Sequence, residues 1–258
     1  MILLDVILTV SKRFKHYPYE IAIAIVKLLA SIGITLLFWW IVAETNSDSL
    51  EKSYISYYFL IAINMSFLMF GVLQLGKHAA DKIKQGELNT HLIRPANTMA
   101  MLVGEHIGER IHGYLINILI IVVTATVYGL SFGWWIPAFL LSLMIGLGIG
   151  LLINILIASI SFFLTEVHSI RMSIYFIIKI LSGLIVPLSF LGSSTRYYLL
   201  MTPLPNLIHT PTVLLLEQNI TTEIIISLIS GTLWLLALLL VARLVWQKGL
   251  RSYAGVGI

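Results

Sequence analysis

Long apolar runs separated by short polar breaks dominate the chain. Six of them are long enough to cross a bilayer: Ile21 to Ala43, Tyr54 to Gly76, Ile107 to Leu130, Trp135 to Leu164, Ile170 to Phe190 and Ile224 to Val245. A hydrocarbon core about 30 Å thick takes roughly 20 residues of helix at 1.5 Å each. Lipid offers no partner to a backbone N–H or C=O, so runs of this length predict helices that satisfy their own hydrogen bonds. The expected fold is an all-α polytopic membrane bundle, one transmembrane domain over residues 1–258.

Three stretches carry a different pattern. In residues 1–17, Leu3, Ile7, Val10, Phe14 and Tyr17 recur at helical spacing, with Asp5, Thr9, Lys12 and His16 opposite. That predicts an amphipathic helix lying in the interface. Its positive charges follow the apolar run rather than precede it, unlike a secretory signal. Residues 78–97 begin as a helical continuation, break at Gly86 and stop at Pro95, with Leu88 and Leu92 one turn apart among polar neighbours. A solvated loop and a docking element that passes force from a soluble partner both fit this pattern. Residues 191–217 are irregular yet apolar, punctuated by Pro203, Pro205 and Pro211. Short helices dipping back from the outer face are expected there, since irregular backbone at that depth must be buried or line a cavity.

Composition narrows the picture. With 59% of residues hydrophobic and 11% charged, no segment outside the runs is large enough to form a soluble domain. No G-x-x-x-x-G-K-[ST] string occurs, so a nucleotide-hydrolysing motor is not expected within the chain. The net charge of +4 is distributed as topology-setting charge, not as a nucleic-acid surface. Cysteine is absent, which excludes disulfides, thiol catalysis and Cys-ligated metal.

Lysine and arginine mark one side. Lys12, Arg13, Lys15, Lys77, Lys82, Lys84, Arg94, Arg171, Lys248 and Arg251 share it, against Lys52 and Arg196 on the other, where the first loop carries Glu44, Asp48 and Glu51. The positive-inside rule then puts both termini in the cytoplasm.

Within the runs, Ser142, Gly146, Gly150, Asn154 and Ala158 form a ladder at four-residue intervals. Small side chains on one face let two helices approach closely in lipid. Lys179 falls near the middle of the fifth run, where a charge must face protein or water; a structural pair and a place on a substrate path both remain open. Asn64 and Asn154 are interhelical hydrogen-bonders by default, with the same path as the alternative. Glu105, His106, Glu109, Arg110 and His112 cluster at the start of the third run and read as a juxtamembrane ion network. Glu109 and His112 have half the spacing of a carboxylate–histidine metal pair, but no other run supplies the matching half. No catalytic set of residues points to an enzyme.

Four strings, in order, resemble the type-2 permease subunits of ATP-binding cassette exporters, the family that includes daunorubicin-resistance-like permeases. They are Gly86-Glu87-Leu88 with Leu92-Ile93-Arg94-Pro95-Ala96-Asn97, then Ser182-Gly183 through Pro187-Leu188-Ser189-Phe190, then Leu204-Pro205 with Pro211, and the tail from Trp246 to Tyr253. Asn206 stands where the family usually has Phe, and Ser252 where it has Arg.

The resemblance implies six spans, an interfacial N-terminal helix, a cytoplasmic coupling helix within residues 78–97 and two short re-entrant outer helices. It implies a separate cytoplasmic ATPase that holds ATP and Mg, no cofactor on this chain, and a second permease subunit, identical or homologous. Asp81, Lys82, Lys84, Glu87, Leu88, Leu92 and Arg94 would then form the ATPase-docking surface. The cargo would be an amphipathic small molecule, peptide or lipid, such as a drug or antibiotic, and the location the inner membrane of a bacterial cell. An ion-coupled secondary transporter is the main alternative, although no acidic residue lies at mid-span depth; a membrane-embedded enzyme is the other. An epitope tag at either terminus is expected to react with antibody only after permeabilisation. Labelling on intact cells would overturn the predicted orientation.

Overall fold

Helix ends follow local chemistry. The computed structural model describes residue 9 and residues 18–45, 52–73, 75–89, 97–127, 133–164 and 167–253. Among these the helices are α1 (Pro18–Thr45), α2 (Lys52–Leu73), α3 (Leu75–Lys84), α4 (Thr98–Val127), α5 (Ile136–Ile160), α6 (His168–Leu181), α7 (Ser193–Leu200), α8 (His209–Glu217) and α9 (Thr222–Ser252). Proline occupies the first turn of α1 and of α5, where its missing N–H costs nothing. At the start of α9 the Thr221 hydroxyl accepts a hydrogen bond from the Ile224 N–H (3.4 Å), and Glu223 sits at the positive end of the helix dipole.

Four helices contain stretches long and apolar enough to cross a membrane: Ile25–Val42 in α1, Thr98–Thr124 in α4, and the whole of α5 and α9. The second predicted run is the 22-residue α2. The fifth is shorter than expected. Predicted to reach Phe190, it is helical only to Leu181, a length of 14 residues or about 21 Å. The chain turns at Gly183, whose φ of 87° suits glycine, and Pro187 leads into a 3₁₀ turn at Leu188–Phe190. Residues 191–217 fold as α7 and α8 joined by a second 3₁₀ turn, Leu204–Leu207. The interfacial helix expected over residues 1–17 lies outside the described residues, apart from residue 9.

The most extensive helix pair is α5 with α9. Added side-chain bulk at Gly148 would meet Leu235, and Phe162, just past α5, packs on Gly249 and Trp246. Contacts advance together along both helices, so α5 and α9 run in the same direction. Residues 161–221 therefore return the chain from the end of α5 to the start of α9.

Two buried clusters mark the two ends. The larger joins Ile55, Tyr58 and Phe59 of α2 to Ile145 and Ile149 of α5 and to Leu207, Ile208 and Leu214. Here Trp39 stacks on Phe59 with ring centroids 5.3 Å apart. The smaller gathers Leu75, Ala79 and Ile83 of α3, Leu88, Leu102, Leu152, Ile155 and Ala158, with Ala242 and Trp246 of α9. Thus α3 sits at the C-terminal ends of α5 and α9, while α7 and α8 sit at the opposite end. There α9 also grips the end of α7: Ser230 Oγ (2.5 Å) and Trp234 Nε1 (3.0 Å) both donate to the Met201 carbonyl.

Asn206, in the second 3₁₀ turn, is fully buried between α5 and α9. Its Nδ2 donates to the Ser227 carbonyl (2.8 Å) and to Ser227 Oγ (3.1 Å), and Thr210 Oγ1 shares a 2.7 Å hydrogen bond with the same hydroxyl. The backbone of Asn206 lies against Gly146 and its amide against Gly231, where a Cβ would stand 2.5 Å from Nδ2. Small residues on both long helices thus admit one polar wedge. Gly231→Leu is expected to displace it and destabilise the fold by about 1–3 kcal/mol, the usual cost of overpacking. Gly33→Leu and Gly113→Leu, where a Cβ meets nothing within 4 Å, should cost no stability. Equal denaturation midpoints for Gly231→Leu and Gly33→Leu in detergent would refute the wedge.

Candidate functional site

The polar ledge begins with the sequence of α3. Leu75, Gly76, Ala79, Ala80 and Ile83 fall on one face and are buried, while Lys77 and Lys84 are exposed. After α3 the chain turns at Gly86, φ 76°, a conformation that favours glycine. The turn brings Leu88 back into the smaller cluster, where it is fully buried. An amphipathic helix held down at both ends by apolar side chains presents its other face outward.

Two polar attachments fix this shelf to the bundle. The first is Asn154 of α5, fully buried. Its Oδ1 accepts from the Gly76 N–H (3.1 Å) and from the Tyr175 hydroxyl of α6 (2.9 Å), and its Nδ2 donates to the Gly150 carbonyl (2.7 Å). A Cβ at Gly76 would lie 2.7 Å from that Oδ1, so only glycine allows the approach. In this way one amide ties α3, α5 and α6 together.

The second attachment is ionic. Lys82 Nζ lies 2.5 Å from Glu105 Oε2 of α4, both side chains less than one-fifth exposed. His78 stands 3.9 Å from Glu105 and 3.9 Å from Glu109 through its two ring nitrogens, and its ring centroid is 6.2 Å from that of His106. A partly buried pair of this kind outweighs an exposed one, because water and salt screen it less. Among the described residues no group of three His, Asp or Glu is placed to hold a metal ion.

The residues singled out in the sequence separate by position. Lys82 and Leu88 face the bundle and anchor the shelf. Asp81 is half-buried, and Lys84 and Glu87 are exposed. Leu92 and Arg94 lie outside the described residues. Ser142, Gly146, Gly150 and Ala158 are all buried along α5. Gly146 and Gly150 meet the 3₁₀ turn at Asn206 and Leu207, and Ala158 joins the shelf cluster.

Asn64 is buried in α2, its Nδ2 donating to the Leu60 carbonyl at 3.3 Å. Lys179 is exposed in the last turn of α6, not at the middle of a longer span. Asn64 thus bonds within α2, whereas Asn154 bonds to Gly76, Tyr175 and Gly150. The Asn206 wedge escaped sequence reading as a structural element. Its signals were the departure from the family's usual Phe and Gly231 within the last apolar run.

No curated protein matches the chain. The family described as ABC-2 family transporter protein matches residues 29–257, from within α1 to beyond the end of α9. A helical bundle with membrane-length apolar helices, covered almost end to end by that family, belongs to the ABC-2 transporters as a permease, the membrane subunit.

Proposed function

We propose that this permease is the membrane half of an ATP-driven exporter, and that a separate cytoplasmic ATPase grips it through the shelf of α3. The observation that carries the reading is the clamped amphipathic helix itself. Its apolar face is sunk among Leu102, Leu152 and Ile155, its ends are tied by Asn154 and by Lys82–Glu105, and Lys77, Lys84 and Glu87 face outward. A partner that pushes on such an element moves α4, α5 and α6 with it, because the attachments reach all three.

Charge supports the side. Lys77, Lys82, Lys84, Lys248 and Arg251 collect at the shelf end, whereas the opposite end mixes Lys52 and Arg196 with Glu44, Glu217 and Glu223. By the positive-inside rule the shelf faces the cytoplasm, where ATP is available. Two such subunits, identical or homologous, would enclose the path of an amphipathic cargo, with ATP and Mg held on the ATPase. The inner membrane of a bacterial cell fits this arrangement.

Purification in mild detergent is expected to bring down a soluble ATPase and a second permease. Lys84→Glu combined with Glu87→Lys should lower the co-purifying ATPase about tenfold, equivalent to about 1.4 kcal/mol, while the permease stays folded. Lys82→Glu should weaken coupling by breaking the strut, and adding Glu105→Lys should restore it. Undiminished capture by the shelf variant would remove the docking surface. Transport that survives ATP depletion but stops with an uncoupler would replace the whole reading with ion coupling.

A further inference from the structure

At the end of the bundle away from the shelf, α7, α8 and the start of α9 line a half-open cavity of about 390 Å³. That size lies within the ~300–1,000 Å³ range of small-molecule pockets. Its walls are apolar at Leu200 and Val213 and polar at Arg196, His209, Glu217 and Glu223.

The charges do not cancel. Arg196 Nη2 lies 2.8 Å from Glu223 Oε1 and is neutralised by it. Glu217, at the exposed rim, has no ion pair among the described residues. Burial raises its pKa, and repulsion from Glu223 adds to this against the pull of Arg196. Arg196, already paired with Glu223, compensates that carboxyl only in part.

Hydrogen-bond logic at His209 adds an independent acceptor. His209 is 5% exposed, and the Tyr58 hydroxyl contacts both the Gly183 carbonyl (2.8 Å) and His209 Nδ1 (3.2 Å). The carbonyl can only accept, so the single phenolic hydrogen goes there. Nδ1 must then carry its own hydrogen and donate to Tyr58. Burial, with a smaller contribution from Arg196, lowers the imidazole pKa to about 3 and keeps the ring neutral. Nε2 therefore bears a lone pair, and it has no hydrogen-bond partner among the described residues.

We infer that this cavity is a binding site for a small amphipathic amine, its ammonium N–H groups donating to Glu217, its apolar part lying on Leu200 and Val213, and a second N–H group farther along the molecule donating to His209 Nε2. The site is separate from the shelf and stands whether or not an ATPase drives the permease. Tryptamine is the probe, titrated calorimetrically into the purified full chain in detergent, with protein-free micelles subtracted. Saturable one-site binding is expected, weakened on the order of tenfold by Glu217→Gln, the loss typical of removing a charged hydrogen-bond acceptor. The N,N,N-trimethyl analogue keeps the charge but has no ammonium N–H, and should weaken similarly. Glu44→Gln, in the separate Glu44–Lys52 surface pair, should bind tryptamine as the unmodified protein does. The site is refuted if tryptamine does not saturate, if Glu217→Gln binds it unchanged, or if indole-3-propionate, of similar shape and opposite charge, binds as tightly.

Discussion

In a membrane bundle, lipid supplies no water to rescue an unpaired polar group, and it drives helices together only weakly. The packing of this permease depends on how α5 meets that constraint. Its buried face carries small residues and one asparagine, and two polar side chains do the joining. Asn154 binds the shelf helix and α6 near the C-terminal end of α5; Asn206 reaches in from a 3₁₀ turn near the other. Interhelical hydrogen bonds of this sort contribute about 0.6–2 kcal/mol each. Their larger effect is to fix register. An amide that must find Ser227 or Gly76 allows a single placement of the neighbouring helix, where apolar contact alone would allow several.

Glycine makes those amides usable. Gly76, Gly146 and Gly231 each lie where an asparagine approaches, and a Cβ at any of them would collide with it. The ladder of small residues on α5 thus serves a purpose beyond close helix–helix contact. Part of it receives a turn rather than a helix, which is why an apolar, proline-punctuated segment can fold inside the bundle without stranding its backbone.

Much of this was legible in the sequence, and the limits have physical causes. Helical class followed from run length, since backbone satisfaction in lipid leaves no competing structure. The break at Gly86 was readable because glycine marks left-handed backbone. The early stop of α6 was harder: Leu181 to Phe190 is as apolar as a span, and hydropathy does not register a turn at Gly183 or Pro187. At the shelf, the amphipathic face was evident, but which charges turn inward was not. Lys82 and Lys84 differ only in position, and the pairing of Lys82 with Glu105 depends on a helix 23 residues away. Asn154 was seen as a polar residue in an apolar run and Asn206 only as a departure from the family pattern, and the partners of both are set by tertiary approach alone.

The length of α9 has a mechanical corollary. Its 31 residues amount to a rod of about 46 Å, with no proline to bend it. Toward one end Trp246 is embedded with α3; toward the other Glu223 pairs with Arg196 of α7. These two attachments are about 35 Å apart along the helix, so a swing of roughly 5° about one displaces the other by about 3 Å, the length of a hydrogen bond. Because α9 takes part in both clusters, a tilt imposed where α3 is embedded also shifts Arg196 and α7 at the opposite end.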